Sequence, residues 1–141
     1  MRFLLDTCLL SELIKPEPKK SVVAWIESQS EIDFGISVLT LGELQKGVSK
    51  LETGKKKDSL EKWLHKELLP RFGNRMIPVS GEVAMHWGEL SGKAEREGKT
   101  IPVLDGLIAA TALVYKLRVV TRDTTDIART GAVCINPWEA S

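Results

Sequence analysis

The sequence predicts an α/β protein in three layers, with a parallel sheet of about five strands sandwiched between helices. Three observations carry this. Short apolar runs, Phe3-Leu4-Leu5 first among them, lack the period-two alternation of a half-solvated strand and read as strands covered on both faces. Between them lie segments whose apolar residues recur at helical spacing. The order strand, helices, strand then repeats along the chain, as crossover connections between parallel neighbours require.

The first strand ends at Asp6-Thr7, and Leu9, Leu10, Leu13 and Ile14 mark a short helix that Pro16 and Pro18 stop. Ser21 is placed to cap a second helix with Val22, Trp25, Ile26 and Gln29 along one side, after which Phe34 to Val38 read as the second strand. Leu41, Leu44, Val48 and Leu51 form one stripe of a third helix. Beyond a solvated turn at Gly54 to Lys57, the residues Leu60, Trp63, Leu64 and Leu68 give a fourth, closed by Pro70 and Gly73. Met76 to Val79 is the third strand. Val83, Trp87 and Leu90 space a further helix ending near Gly98, and the almost wholly apolar Val103 to Tyr115 is a helix predicted to be central. Arg118 to Thr121 and Ala132 to Ile135 are the last two strands, with room for one short helix between Asp123 and Thr130.

The chain of 141 residues has the size of one domain, spanning 1–141, and its 43% hydrophobic and 28% charged content exclude disordered and fibrous classes. With 20 basic and 19 acidic side chains the formal net charge is +1, so any contact with nucleic acid rests on local patches. Only Cys8 and Cys134 are present, and no signal-peptide pattern opens the sequence, so reduced thiols and a cytoplasmic location are expected. The longest apolar run, Leu107 to Tyr115, falls short of the about 18 residues of a membrane helix, so no membrane association is expected. His65 and His86 stand on separate predicted helices without a Cys or His partner, which argues against zinc.

In an open parallel sheet ligands collect at the carboxyl ends of the strands. Asp6 and Asp123 both stand just past an apolar strand, where the ordinary reading is a turn or a helix cap. Asp105 falls in the first turn of the most apolar helix, where no Lys or Arg within the helix neutralises it; a cap explains it, and so does a metal ion. Glu43 lies about a quarter turn off the apolar stripe of its helix, on the shoulder beside Thr40 and Gly47, a place most often filled by a solvated side chain. A nest of three or four such acids is a suitable anchor for Mg²⁺, which takes one or two carboxylates plus waters and phosphate oxygens.

Several motifs are shared with one family: Phe-Leu-Leu-Asp-Thr from residue 3, Leu-Ser-Glu-Leu from 10, Pro-Glu-Pro from 16, Ile-Ser-Val-Leu-Thr-Leu-Gly-Glu-Leu from 36, Asp-Gly-Leu-Ile-Ala-Ala-Thr-Ala from 105, Val-Thr-Arg-Asp from 120 and Asn-Pro-Trp-Glu from 136. In register over nearly the whole chain, they resemble a VapC-type PIN-domain toxin, and more narrowly its FitB-like branch. The resemblance implies a PIN fold, a Mg²⁺ or Mn²⁺ site, cleavage of RNA phosphodiester bonds, a homodimer, and a co-encoded antitoxin that silences the enzyme. Carried over by position, the acidic set is Asp6, Glu43, Asp105 and Asp123, with Asp6 and Asp105 as direct metal ligands and Thr7 and Thr121 in support. Asp123 is expected to be auxiliary, because the branch often carries Asn there, and Asp126 is expected to cap the short helix that follows.

One departure is Cys8, where the family usually has Asn; a thiol suits Mg²⁺ poorly, so Cys8 is read as a packed small residue and the order around the ligands is put in question. An acidic pit repels RNA and needs a basic rim, for which Arg122 is favoured over Lys46, Lys50, Lys55, Lys56, Lys57 and Arg129 because it adjoins Asp123. The groove between the first two helices, with Leu10, Leu13, Ile14, Trp25 and Ile26 nearby, is either a seat for an apolar antitoxin segment or plain core. Two rival readings stand beside this one. A PIN-like module that binds RNA or protein without cutting would bind indifferently to metal. A receiver-type phosphorylation switch needs an Asp after the third strand, where the chain has Pro78-Val79-Ser80-Gly81.

Overall fold

Phe3, Leu4 and Leu5 form β1 (Phe3–Leu5) in the computed structural model, which describes residues 1–139. All three are buried, and they divide between two apolar clusters: Phe3 and Leu5 meet Leu9, Leu10 and Val22 on one face of the sheet, while Leu4 meets Ile108, Ala109 and Ala112 on the other. A strand with both faces covered has no reason to alternate apolar and polar residues. β1 is central. It pairs in parallel with β2 (Phe34–Ser37) on one side and β4 (Arg118–Val120) on the other, with β3 (Met76–Ile77) and β5 (Cys134–Ile135) at the edges. The order β3-β2-β1-β4-β5 means that the chain grows outward from β1 in one direction and then returns to grow in the other. The switch lies between β1 and β4, and the crevice that such a switch opens is at their carboxyl ends.

One outer layer holds α1 (Thr7–Leu13), α2 (Lys20–Glu27), α3 (Val38–Ser49) and α4 (Lys55–Lys62), followed by the π-helical Trp63–Leu68 and α5 (Leu69–Phe72). Leu9, Val22, Leu44, Val48, Leu64 and Phe72 are their contributions to the first cluster. The other layer is α7 (Val103–Tyr115) with the short α8 (Thr125–Ala128), and α6 (Gly81–Arg96) packs outside α7. Gly106 permits the close approach of α6, since a Cβ there would stand 2.9 Å from Trp87 Cδ1. The three-layer α/β/α sandwich expected from the sequence is the observed fold; the last two residues of the expected 1–141 domain lie outside the described residues. No helix among the described residues is long and apolar enough to cross a membrane.

Three local expectations are corrected. Ser21 does not cap α2: Lys19 holds the cap position, because its N–H is fixed by a buried carboxylate, Glu12 Oε2 at 3.1 Å, and the helix starts two residues earlier than a cap at Ser21 would allow. Pro70 does not close the fourth helix; the wider π-helical turn before it lets Pro70 sit in the first turn of α5, where a missing N–H costs little, and Gly73 at φ 44° makes the stop. Helix α7 is buried only through its middle, Val103 and Tyr115 being 58% and 42% exposed. Of the residues read as either groove or core, Trp25 falls to the core side: half-buried, it packs edge-on against Phe3 at 5.1 Å.

Candidate active site

Asp6 ends β1 in extended conformation and caps α1, its Oδ1 accepting the Thr7 N–H at 2.8 Å. Its own N–H donates to Val120 O at 3.1 Å, which ties the end of β1 to β4 at the switch point. Oδ2 accepts the hydroxyl of Thr121 at 2.9 Å. Thr121 is fully buried, and its single oxygen does three things: it donates to Asp6, accepts the Asp123 N–H at 3.3 Å, and lies 3.5 Å from Cys8 Sγ. Thr7 donates its hydroxyl to Glu43 Oε1 at 2.9 Å and so brings α3 to the end of β1. In the sequence these residues stand on separate elements; the fold joins Asp6, Thr7, Glu43, Thr121 and Asp123 around the end of β1 through side-chain and backbone hydrogen bonds.

Asp105 enters from the first turn of α7 on the other side of the sheet. Burial pushes its carboxyl above the ordinary range, and the negative charges of Asp6, Asp126, Asp123 and Glu43 push the same way. Four further carboxylates, from separate elements and loops, are thus near enough for their charge to be felt at Asp105. Among the described residues the ion pairs include only one of them, Asp126 with Arg129 at 3.3 Å. That uncompensated negative charge is what a divalent cation would relieve. No three Asp, Glu, His or Cys side chains among the described residues are drawn close enough to enclose an ion by themselves. The donor set fits a hard cation held by one or two carboxylates with water completing its shell, and does not fit a closed protein cage.

Asp126 belongs to this group, although the sequence reading places it as a cap. It is no helix cap: Thr124 holds the cap position of α8, and Asp126 sits in the first turn, half-buried, with a larger effect on Asp105 than the exposed Asp123 has. Asp126→Asn is accordingly expected to weaken the binding of added Mg²⁺ to the protein more than Asp123→Asn does, with stability changed by less than about 1 kcal/mol because the Arg129 pair is a surface one. A metal titration of both variants checks this; the larger shift in Asp123→Asn would restore Asp123 to first place.

Cys8 is packed, as expected, and does more. Its Sγ stands 3.8 Å from Asp6 Oδ2, within donor range, and accepts the Arg122 N–H at 3.4 Å. Burial pushes the thiol above its ordinary value, so it stays protonated and can support Asp6. Arg122, expected as the RNA contact, is exposed, with its guanidinium 5.6 Å over the Trp138 ring, and its backbone N–H goes to the Cys8 thiol beside Asp6. Glu12 lies in the shared Leu-Ser-Glu-Leu motif, and the sequence reading gives it no role. Only 6% exposed, it accepts from Lys15 Nζ, the Lys19 N–H and Trp138 Nε1, and the Lys15 ammonium leads in holding its carboxyl below the usual range. It is a structural tie between α1 and the C-terminal segment.

Residues 3–133 match the PIN domain family. Toxin FitB of Neisseria gonorrhoeae is 40% identical over 135 residues, covering 96% of this chain and 97% of that protein. VapC ribonuclease Y4jK of Sinorhizobium fredii is 37% identical over 135 residues, covering 96% of each. The solved structure of FitAB bound to an IR36 DNA fragment superposes with a TM-score of 0.92 at 37% identity, covering 99% of this chain and 97% of that one.

Proposed function

Because the chain belongs to the PIN-domain family, in its VapC-type, FitB-like branch, we propose that it is a metal-dependent endoribonuclease acting as the toxin of a toxin–antitoxin pair in the cytoplasm. One observation carries the reading. Asp6 and Glu43 are tied together through Thr7 at the switch point of the sheet, the charges of both bear on the half-buried Asp105, and none of the three has a cationic partner among the described residues.

Mg²⁺, with Mn²⁺ as its substitute, would be held by Asp6 and Asp105, and when bound it supplies polarisation of a phosphodiester and a water of lowered pKa. The chain's own residues do the positioning. The Thr7 N–H and the Thr121 hydroxyl take one oxygen each of Asp6, so its carboxylate plane is set before anything binds. Thr7 also occupies Glu43 Oε1, which leaves Oε2 to accept a proton from an attacking water. Asp123, held by its N–H on Thr121, adds charge at the rim.

The partners in this reading are RNA as substrate, a second copy of the chain and a co-encoded antitoxin. The relative FitAB, solved as a two-component assembly, and the groove beside α1 support the last. Purified protein incubated with RNA is expected to cut only with Mg²⁺ or Mn²⁺ present and to stop when a chelator is added. RNA binding that is indifferent to metal, without cleavage, would instead mark a binding module.

A further inference from the structure

Helix α6 ends in a left-handed turn whose sequence explains its shape. Gly98 takes φ 77°, its N–H bonds Glu95 O at 3.0 Å, and the Lys99 N–H returns to Ala94 O at 2.8 Å. This C-terminal motif folds Lys99 back beside Lys93, one turn above the helix end. Across from them stands Arg129, just past α8. The three cations line a crevice of about 260 Å³ whose apolar walls include Leu90 and Ile101, against a single carboxylate, Glu97.

Two features connect this crevice to the acidic site. Ile101 lies four residues before Asp105 on the same stretch of chain, and Arg129 is paired at 3.3 Å with Asp126, whose charge bears on Asp105. A positively lined slot therefore adjoins the negative pit and shares a side-chain contact with it. Its volume is below the about 300–1,000 Å³ of pockets that enclose a whole small ligand, so it suits a short piece of a longer one. Cations at the mouth and apolar walls within match a nucleotide unit, its phosphate on the lysines and its sugar or base face on Leu90 and Ile101.

Building on the ribonuclease reading, we infer that the Lys93–Lys99–Arg129 crevice seats a flanking phosphate of the single-stranded RNA substrate, one or more nucleotides from the bond that is cut. It offsets the repulsion of the carboxylates and sets which way the strand runs across them. Arg122, turned onto Trp138, then has at most a secondary part.

The test uses fluorescence anisotropy of an end-labelled single-stranded RNA oligonucleotide with the full chain, in chelator so that nothing is cut, over a series of salt concentrations. The Lys93→Ala/Lys99→Ala variant is expected to bind about tenfold more weakly, with the slope of log affinity against log salt reduced by about 0.7 for each phosphate no longer neutralised. A control of equal charge change, Lys62→Ala/Lys66→Ala on the opposite face of the sheet, should keep the parental affinity. Circular dichroism melting establishes that both variants are folded, which exposed lysines permit. Parental affinity and slope in the Lys93→Ala/Lys99→Ala variant, or an equal loss in the control, would overturn the crevice while leaving the nuclease reading intact. A parental protein that neither binds nor cuts RNA overturns the nuclease reading itself.

Discussion

Asp6→Asn and Asp105→Asn are each expected to abolish RNA cleavage at saturating Mg²⁺, with a loss beyond the about 10–100-fold typical when only a residue supporting a metal ligand is removed. The amide keeps the shape of the carboxylate and removes the charge. The two variants should nevertheless differ in the metal-free protein. Asp6 is satisfied by the Thr7 N–H and the Thr121 hydroxyl, and an amide in its place has to turn one of those contacts around, so no gain in stability is expected. Asp105 accepts no hydrogen bond among the described residues, and burial followed by four negative neighbours raises its carboxyl above the ordinary range. A folded-state pKa raised above the unfolded value contributes stability at low pH that is lost as pH rises through the folded value. The metal-free parent should therefore gain stability relative to Asp105→Asn as pH falls into the carboxylate range, and Asp105→Asn should be the more stable of the two at neutral pH. Melting both proteins in chelator from neutral to mildly acidic pH reads the difference. Curves that stay parallel would remove Asp105 from the electrostatic centre of the site, and parental cleavage by either variant would remove that residue from the chemistry.

Much of this arrangement was legible in the sequence because it rests on local rules. Apolar runs without alternation marked strands buried on both faces, and a polar residue just past such a run, Asp6 after β1 or Asp123 after β4, falls where a parallel sheet opens. What local rules could not supply was competition between distant groups. Ser21 has the right chemistry for a cap, but Glu12, 6% exposed and seven residues before Lys19, fixes the chain first. Asp126 follows two threonines and looks like a cap residue; only the fold shows that α8 turns it toward α7, where its charge is felt by Asp105. The role of Cys8 is of the same kind. A thiol two residues after Asp6 signals nothing by spacing, and its support for the site depends on Thr121 and Arg122 arriving just past β4, 113 residues after it in the case of Thr121.

Leu13→Asn is expected to weaken the complex with the antitoxin by at least about 2 kcal/mol, roughly 30-fold in Kd, the loss that marks an anchor residue in an interface. The surface concerned is a groove of about 590 Å³ beside α1 and α2, with Leu10, Leu13, Ile14 and Ile26 on its walls and Phe34 among its deeper residues. Glu31 and Arg71, which pair with one another, are among its polar lining. An apolar slot of that size left open on a small domain marks a binding surface more often than a packing fault, because apolar area left in water is unfavourable unless something covers it. Its apolar lining from α1 and α2 suits the apolar face of a partner's helix or strand. Leu13 is half-buried and also packs against the first core cluster, so part of its cost will fall on the free enzyme. Ile14, at 36% exposure, is the cleaner probe, and Ile14→Asn should leave the melting temperature within a few degrees of the parent while weakening the complex in the same direction. Titration calorimetry with the antitoxin, beside a melt of each free variant, separates the two meanings of this groove. Loss of binding in a folded Ile14→Asn protein assigns it to the antitoxin. Parental binding by Ile14→Asn, together with a Leu13→Asn protein that fails to fold, assigns Leu13 to the core and sends the antitoxin elsewhere.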